Sequence, residues 1–543
     1  MTPAKHRTAL AGSPESSPAR SRTNSSTNSR AKSPATSVAI ALALVVSFAL
    51  TGCFTGTSGS GASGTDASGP GASDRISLAM LQPPRSGLSP LSDDAFKLSR
   101  WSTGETLVAL DAQGDAQPAL ATSWQQTDAL TWRFDLRPDV TFHDGTLLTA
   151  EQVAVSLTAA AESTPKPRIL DGVILTATAR GPLTVEVHTG TEDPLIPQRL
   201  SSPQLTILAA AAYSDDGTVN PIQTGTGPFV LAAVDGTTGA TLNRFDDYWG
   251  SPAAASGIDV SFVPDGTARA AALRTGTADI VEAIPVGQVS QIDAELVHEV
   301  PMPRTNTLYL NTETGPFADP AVRAAARVAL ENATLVELVY EGRADAAAGL
   351  LGPALDWAAG ERTTAFYTEI MARRAEAAAV DGVRITLGTF TDRAELPEVA
   401  VQLEQQLEAV GFVVDQDVRE YQYIEADALA GAFDAFLLSR ATVLDSGDPV
   451  AYLYSDFACS GSFNIAQFCD ETVDAALDSA GALAAGSDRR TAIMHAEALI
   501  LASDAALPLL HERVLQGEGP GVTGVARDPR ERALITNETR VTD

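Results

Sequence analysis

Three cysteines and six histidines are all the soft metal-ligand chemistry that 543 residues carry. The histidines, at 6, 143, 188, 298, 495 and 511, have no ligand-like spacing. Neither His-Glu-x-x-His nor Cys-x-x-Cys occurs, which argues against a preformed zinc site. Positive charge is short as well: 37 Lys and Arg stand against 68 Asp and Glu, a net charge of −31. A chain of that balance cannot neutralise a run of phosphates, so nucleic acid is excluded as a partner. No Gly-rich loop ends in Lys-Ser or Lys-Thr, and no Gly-x-Ser-x-Gly elbow is present, so neither ATP hydrolysis nor hydrolase chemistry finds support. A carboxylate pair can be drawn from 68 acids anywhere, and that abundance empties it of meaning. Internal repeats of about 20–50 residues are absent. The apolar run Val38–Leu50 has thirteen residues, short of the about 20 that a spanning helix needs.

What is present begins with that run. Lys5, Arg7, Arg20, Arg22, Arg30 and Lys32 precede it, against Glu15 alone. A basic lead, an apolar stretch and small residues make residues 1–52 a secretory signal. Leu50-Thr51-Gly52-Cys53 resembles the bacterial lipobox, in which the cysteine becomes the lipidated first residue of the mature protein; the rival is an uncleaved, reducible thiol. Residues 53–73, with Gly at 56, 59, 61, 64, 69 and 71, then form a tether with a root-mean-square reach of about 25 Å. Lipidation consumes the Cys53 thiol and leaves Cys459 and Cys469 as an even pair, which suits an exported protein.

Folded sequence starts near Arg75. The length suggests two or three domains' worth of chain, and 44% apolar against 19% charged residues is an ordinary globular balance. "RISLAML", "LTWRFDLR" (130–137), "LTVEVHT" (183–189) and "GFVVDQDV" read as strands. "TAEQVAVSLTAAA" (149–161) has helical spacing, with Thr149 as N-cap and Gln152 completing a capping box. "DPAVRAAARVALE" (319–331), capped by Asp319 with Pro320 at its first position, and "LPEVAVQLEQQLEAVG" (396–411), closed by Gly411, are further helices. The mixture predicts an α/β fold. His143, in the turn "FHDG", is expected to be solvated or capping.

Six collinear blocks resemble the family 5 extracellular solute-binding proteins. They are "PALATSWQQTDALTWRFDLRPDVTFHDGTLLTAEQVAVSL" (118–157), "GTGPFVL" (225–231) with "NRFDDYWGSP" (243–252), "ALRTGTADI" (272–280), "LYLNTETGPFADPAVRAAARVAL" (308–330), "GAFDAFLLSRATVLDSGDPVAYLYSDF" (431–457) and "FNIAQFCDETVDAAL" (463–477). The resemblance implies a two-lobed type II periplasmic-binding-protein fold, a Venus flytrap with hinge strands and an extra subdomain in lobe I. Lobe I is expected over 74–303 with a return at 516–543, and lobe II over 304–515. The implied function is capture of oligopeptides or a nickel–chelator complex between the lobes and delivery to an ABC permease with its ATPase. A monomer without cofactor or resident metal is expected, lipid-anchored at the outer face of the bacterial cell membrane. Two alternatives stand beside it: a secreted lipoprotein enzyme, and a surface or signalling lipoprotein that keeps the fold.

The same resemblance points to site residues. In the peptide-binding branch an aspartate at the position of Asp445, in "VLDSGDP", pairs with the peptide's α-amino group; the rival is a solvated turn. Asp448 reads as a helix cap. The dipeptide branch clamps the ligand carboxylate with an arginine before the helix at 396–410, where this chain has Phe390, with Arg393 three residues on. "TFTDRAELPEVAVQL" (389–403) looks instead like the nickel- or metallophore-binding members, in which Arg393 and Arg440 would face an anionic chelate; a surface salt bridge is the rival for each. Trp101 and Tyr309 lie where family members approach the cleft, with core packing as the rival. Tyr248 and Trp249, in "DDYWG", read as structural aromatics. Similar receptors carry a disulfide corresponding to Cys459–Cys469, worth about 3 kcal/mol in the chain-entropy model.

Overall fold

The computed structural model describes residues 74–170, 172–442 and 446–542. The signal, Cys53, the tether and Asp445 lie outside the described residues. Among those described, no helix is long and apolar enough to cross a membrane.

The backbone is a mixed α/β assembly on an eleven-stranded sheet. In spatial order its strands are Phe412–Arg419, Val383–Phe390, Ala435–Ala441, Val297–Leu310, Ala506–Glu518, Ile280–Val281, Arg75–Met80, Gly257–Phe262, Gly239–Arg244 and Phe229–Asp235, with Ala344–Ala346 also paired to Ala506–Glu518. Val297–Leu310 and Ala506–Glu518, of 14 and 13 residues, are more than twice the usual strand length. They run antiparallel through the middle of the sheet and join its two halves.

The ladder between them breaks. Pro301 is opposite Arg513 and Thr305 opposite His511, so Met302, Pro303 and Arg304 face Glu512 alone. Pro303 within this bulge and Pro301 at its edge have no N–H to offer the ladder, which is why pairing lapses here. The buried apolar side chains divide at the same place. The largest cluster runs from Leu308 to Leu510; the others draw on residues 76–292 together with Leu515, Leu534 and Ile535.

Beyond the break, Val383–Phe390, the helix Glu395–Glu408 and Phe412–Arg419 form a parallel β-α-β unit. The helix buries Leu396, Val399, Ala400, Leu403 and Leu407, one stripe at helical spacing. Before the break, the strands Ala121–Asp128, Thr131–Leu136, Thr184–Thr189 and Leu175–Gly181 make a separate four-stranded sheet packed by the helix Ala150–Glu162.

Two local expectations are corrected. Thr149 caps its helix through the N–H of Gln152, but the Gln152 side chain accepts from the N–H of Ala210 at 2.6 Å, so the capping box stays half made. His143 is neither solvated nor a cap. Its Nε2 donates to the carbonyl of Gly227 at 2.8 Å and its ring meets Phe245 edge-on. Burial holds its imidazole down at about 4, with the Gly227 bond and Asp144 pulling only weakly the other way. The "GTGP" loop that receives it has no room for side chains: a Cβ on Gly225 or Gly227 would fall 2.0 or 2.1 Å from the carbonyl oxygens of Thr103 and Ser102.

Candidate functional site: the crevice between the two halves

In open α/β sheets ligands bind beyond the carboxyl ends of parallel strands. Here two such sets of ends occur. Arg75–Met80, Gly257–Phe262 and Ile280–Val281 are parallel in one half, and Val383–Phe390, Phe412–Arg419 and Ala435–Ala441 in the other. The residues that follow them carry an unusual concentration of charge.

Glu282 comes directly after Ile280–Val281. Its carboxylate accepts the Leu81 N–H at 2.8 Å and pairs with Arg100 at the end of the helix Ala95–Arg100. Burial opposes both charges, but each lifts the other's ionised form: the Glu282 carboxyl lies below its ordinary range and the Arg100 guanidinium above. On the opposite side Arg393, three residues after Val383–Phe390, donates Nη1 to Glu512 Oε2 at 2.8 Å. Burial works against the Arg393 charge too, and Glu512 followed by Glu531 outweighs it, so the group is raised.

Arg304 stands in the bulge beside Ala441. It donates Nε to Glu531 Oε1 at 3.1 Å. Burial lowers this guanidinium; Glu531 opposes that, and neighbouring Arg393 adds to it. Glu531 comes from the C-terminal return, which is pinned to the first half by Leu534, Ile535 and the Ile535 N–H bond to the Arg100 carbonyl at 2.8 Å. Its φ of +58°, like the +50° of Ser102 and Ala283, costs of order 1–3 kcal/mol at a non-glycine residue, and such strain clusters at ligand sites. Solvent still reaches the side chains of Arg304, Glu531 and Arg393, which are 19%, 22% and 32% exposed. At the outer edge the turn of residues 111–115 meets the second half, with Arg490 3.4 Å from Asp115 and a Gly114–Gly447 backbone approach.

The other expected site residues are placed as follows. Trp101 is fully buried, its Nε1 donating to the Met80 sulfur at 3.0 Å beside Phe262. Tyr309 is buried and donates to Asp456 Oδ2 at 3.0 Å. Arg440 makes a two-toothed pair with the same carboxylate, Nε to Oδ2 at 2.9 Å and Nη2 to Oδ1 at 2.7 Å. Its guanidinium lies 4.2 Å from the Phe463 ring centre, and Phe463 belongs to the loop that the Cys459–Cys469 disulfide closes. Asp448 caps the Val450 N–H at 3.0 Å and pairs with Arg489 at 2.6 Å. Tyr248 and Trp249 both donate to Glu105 at 2.9 Å. Arg393 is thus paired with Glu512 and partly exposed, Arg440 is paired with Asp456, and Trp101 and Tyr309 are buried.

Sequence reasoning did not single out Arg100, Glu282, Arg304, Glu512 or Glu531. Arg304 and Glu531 are 227 positions apart, and no local spacing announces such a pair. The one available signal was "LPLLHERVL" (507–515), where charge interrupts an apolar strand.

The arrangement has relatives. A profile described as bacterial extracellular solute-binding proteins, family 5 Middle, matches residues 115–464. The chain is 26% identical over 448 residues to the probable di/tripeptide-binding protein 5 of Pseudomonas aeruginosa, covering 75% of this chain and 84% of that one. It is 25% identical over 383 residues to the nickel-binding protein NikA of Staphylococcus aureus, covering 68% and 75%. Two solved structures share the fold: NikA from Brucella suis in complex with Fe(III)-EDTA, with TM-score 0.73, 23% identity and coverage of 86% of this chain and 100% of that chain, and the unliganded open form of MppA, a periplasmic murein tripeptide binding protein, with 0.70, 18%, 87% and 98%. The chain belongs to the bacterial extracellular solute-binding proteins of family 5.

Proposed function

We propose that the protein is the substrate-binding component of an ABC importer, capturing short peptides or a nickel–chelator complex in the crevice and releasing it unchanged to the permease. The observation that carries this reading is the group of charged, partly exposed side chains Arg304, Glu531 and Arg393, beside the two adjacent strands that join the halves of the sheet; we read it as lining a crevice between two bodies. Closing such a crevice strips water from a ligand and strengthens each polar contact made to it. The bodies are residues 74–303 with 516–543, and 304–515. Relatives with printed peptide- and nickel-binding names supply the ligand classes. The lipobox at Cys53 supports anchoring at the outer face of the membrane, within reach of a permease. Native mass spectrometry of the protein as purified, followed by thermal-shift screening against di- to tetrapeptides and Ni(II)–histidine complexes, tests the reading. A retained small molecule or a stabilising hit supports it; an empty protein that no such ligand stabilises refutes it.

A further inference from the structure

A line of charge crosses the break in the ribbon formed by Val297–Leu310 and Ala506–Glu518. Successive residues of a strand point to opposite faces; Glu512 meets Arg393, so Arg513 leaves from the side away from that pair. Arg513 donates Nε to Asp345 Oδ2 at 3.0 Å and Nη2 to Asp345 Oδ1, while its Nη1 reaches Glu299 Oε2 at 2.8 Å. Arg343 donates Nη1 to the other Glu299 oxygen, Oε1. The register explains the meeting. Arg513 is opposite Pro301, which puts Glu299, two residues along, on the same face. Asp345 is opposite His511, two residues from Arg513, and Arg343 lies two residues before Asp345.

The four charges belong to different bodies. Glu299 lies before the missing rungs, in a stretch tied to the first half: Leu515 accepts the Ile284 N–H at 2.8 Å, and Gly517 and Glu518 pair with Val281 and Ile280. Asp345 and Arg343 lie beyond the rungs. Ala344–Ala346 pairs with residues 510–512, and the Ala347 N–H bonds the Leu509 carbonyl at 3.0 Å. Arg513 stands on the last rung before the gap. Side chains therefore span Met302–Arg304, where the backbone ladder does not. The Asp345 bond raises the Arg513 guanidinium above its ordinary value; burial opposes this and the Glu299 bond adds to it. All four side chains are 28–31% exposed, so salt can screen them. In the same arrangement the halves touch a second time at the rim, through Asp115 with Arg490 at 3.4 Å and the Gly114–Gly447 approach.

We propose that the chain Arg343–Glu299–Arg513–Asp345 is an electrostatic clasp on the hinge, made when the halves meet at the rim and broken when they part. The proposal rests on the receptor reading given above. Rotation about the bulge carries Glu299 in one body against Arg343 and Asp345 in the other and pulls the bonds apart. The closed fraction of the receptor is then set by ionic strength as well as by ligand, and apparent ligand affinity falls with that fraction.

The test is single-molecule energy transfer on the full chain, with dyes on ketone-bearing residues in place of Thr127 and Glu369, one exposed position in each half. Ketone chemistry leaves the cysteines alone. Glu299→Gln keeps the size of the side chain and removes its charge; it should raise the ratio of open to closed molecules by about 3- to 10-fold, the worth of one or two partly exposed ion pairs. Arg343→Gln should act in the same direction, and the double variant should move the ratio no further than Glu299→Gln alone, because both delete the same bond. Added salt should open the parent more than it opens Glu299→Gln. An unchanged or lowered ratio in Glu299→Gln, or fully additive variants, overturns the clasp; if a tripeptide or the Ni(II)–histidine complex still closes the protein, the receptor reading stands. One fixed distance in every variant, at every salt concentration and with each of those ligands overturns both.

Discussion

Removing the Asp456 carboxylate shows whether Arg440 serves the scaffold or the ligand. Asp456 is fully buried and collects the Nε and Nη2 groups of Arg440, the Tyr309 hydroxyl and the Ser455 hydroxyl. Asp456→Ala strands the guanidinium, which is 22% exposed, beside Phe463 and the orphaned Tyr452 hydroxyl. Breaking a buried pair from one side costs about 3–5 kcal/mol; partial solvent access to Arg440 moves the expectation to about 3 kcal/mol. Tyr309→Phe, which deletes one of the four donors, should cost about 1 kcal/mol. The double variant Arg440→Met with Asp456→Leu removes both charges and fills the space, so it should lie within about 1–2 kcal/mol of the parent. Urea unfolding followed by circular dichroism, assembled as a double-mutant cycle, reads the coupling directly. Ligand affinity of the double variant should match the parent. An Asp456→Ala cost below about 1 kcal/mol, or a double variant that folds but has lost its ligand, would refute the structural assignment and return Arg440 to the binding site.

Three further outcomes are expected. Asp445→Asn should weaken peptide binding by about 1–3 kcal/mol if an ammonium is buried against it, and unchanged affinity for every bound peptide removes Asp445 from the site. Cys53→Ala should abolish retention in the membrane fraction, where full retention contradicts the lipid anchor. Burial, reinforced by the Arg362 charge and opposed by Asp345, holds the His511 imidazole down at about 4. The unfolded chain takes up its proton near pH 6.5, so this stability is complete above pH 6.5 and drains away as pH falls towards 4, by about 3 kcal/mol. His511→Asn should flatten the pH dependence of unfolding free energy over that window; an unchanged slope discards the assignment.

The framework was legible wherever the information is local. Thr149, Asp319 and Pro320 announced two helix starts that the backbone shows, and the stripe of Leu396, Val399, Leu403 and Leu407 marked a buried helix face. The collinear order of the motif blocks, more than any one of them, identified the family. The crevice was much less legible, because its charges are matched across the chain rather than along it. Arg304 meets Glu531 only because a bulge turns it there and a C-terminal return comes back beneath the first half. Periodicity likewise carried no warning that His143 would be enclosed, since its partner carbonyl at Gly227 is 84 positions away.

The pairing of Val297–Leu310 with Ala506–Glu518 has a mechanical consequence. Two strands crossing separately would let the halves shear and swivel independently; two strands hydrogen-bonded along most of their length behave as one ribbon. A ribbon yields most readily where its rungs are missing, and the widest gap here lies at Met302–Arg304, with a second irregularity between Asn306 and Thr307. Opening should therefore approximate rotation about a single axis through the bulge, with displacement growing with distance from it. On such an axis Arg304 would travel little, and a contact away from the bulge such as Asp115–Arg490 would travel further. The fixed end of the crevice can read a small invariant chemical group, while the moving end accommodates differences in ligand length.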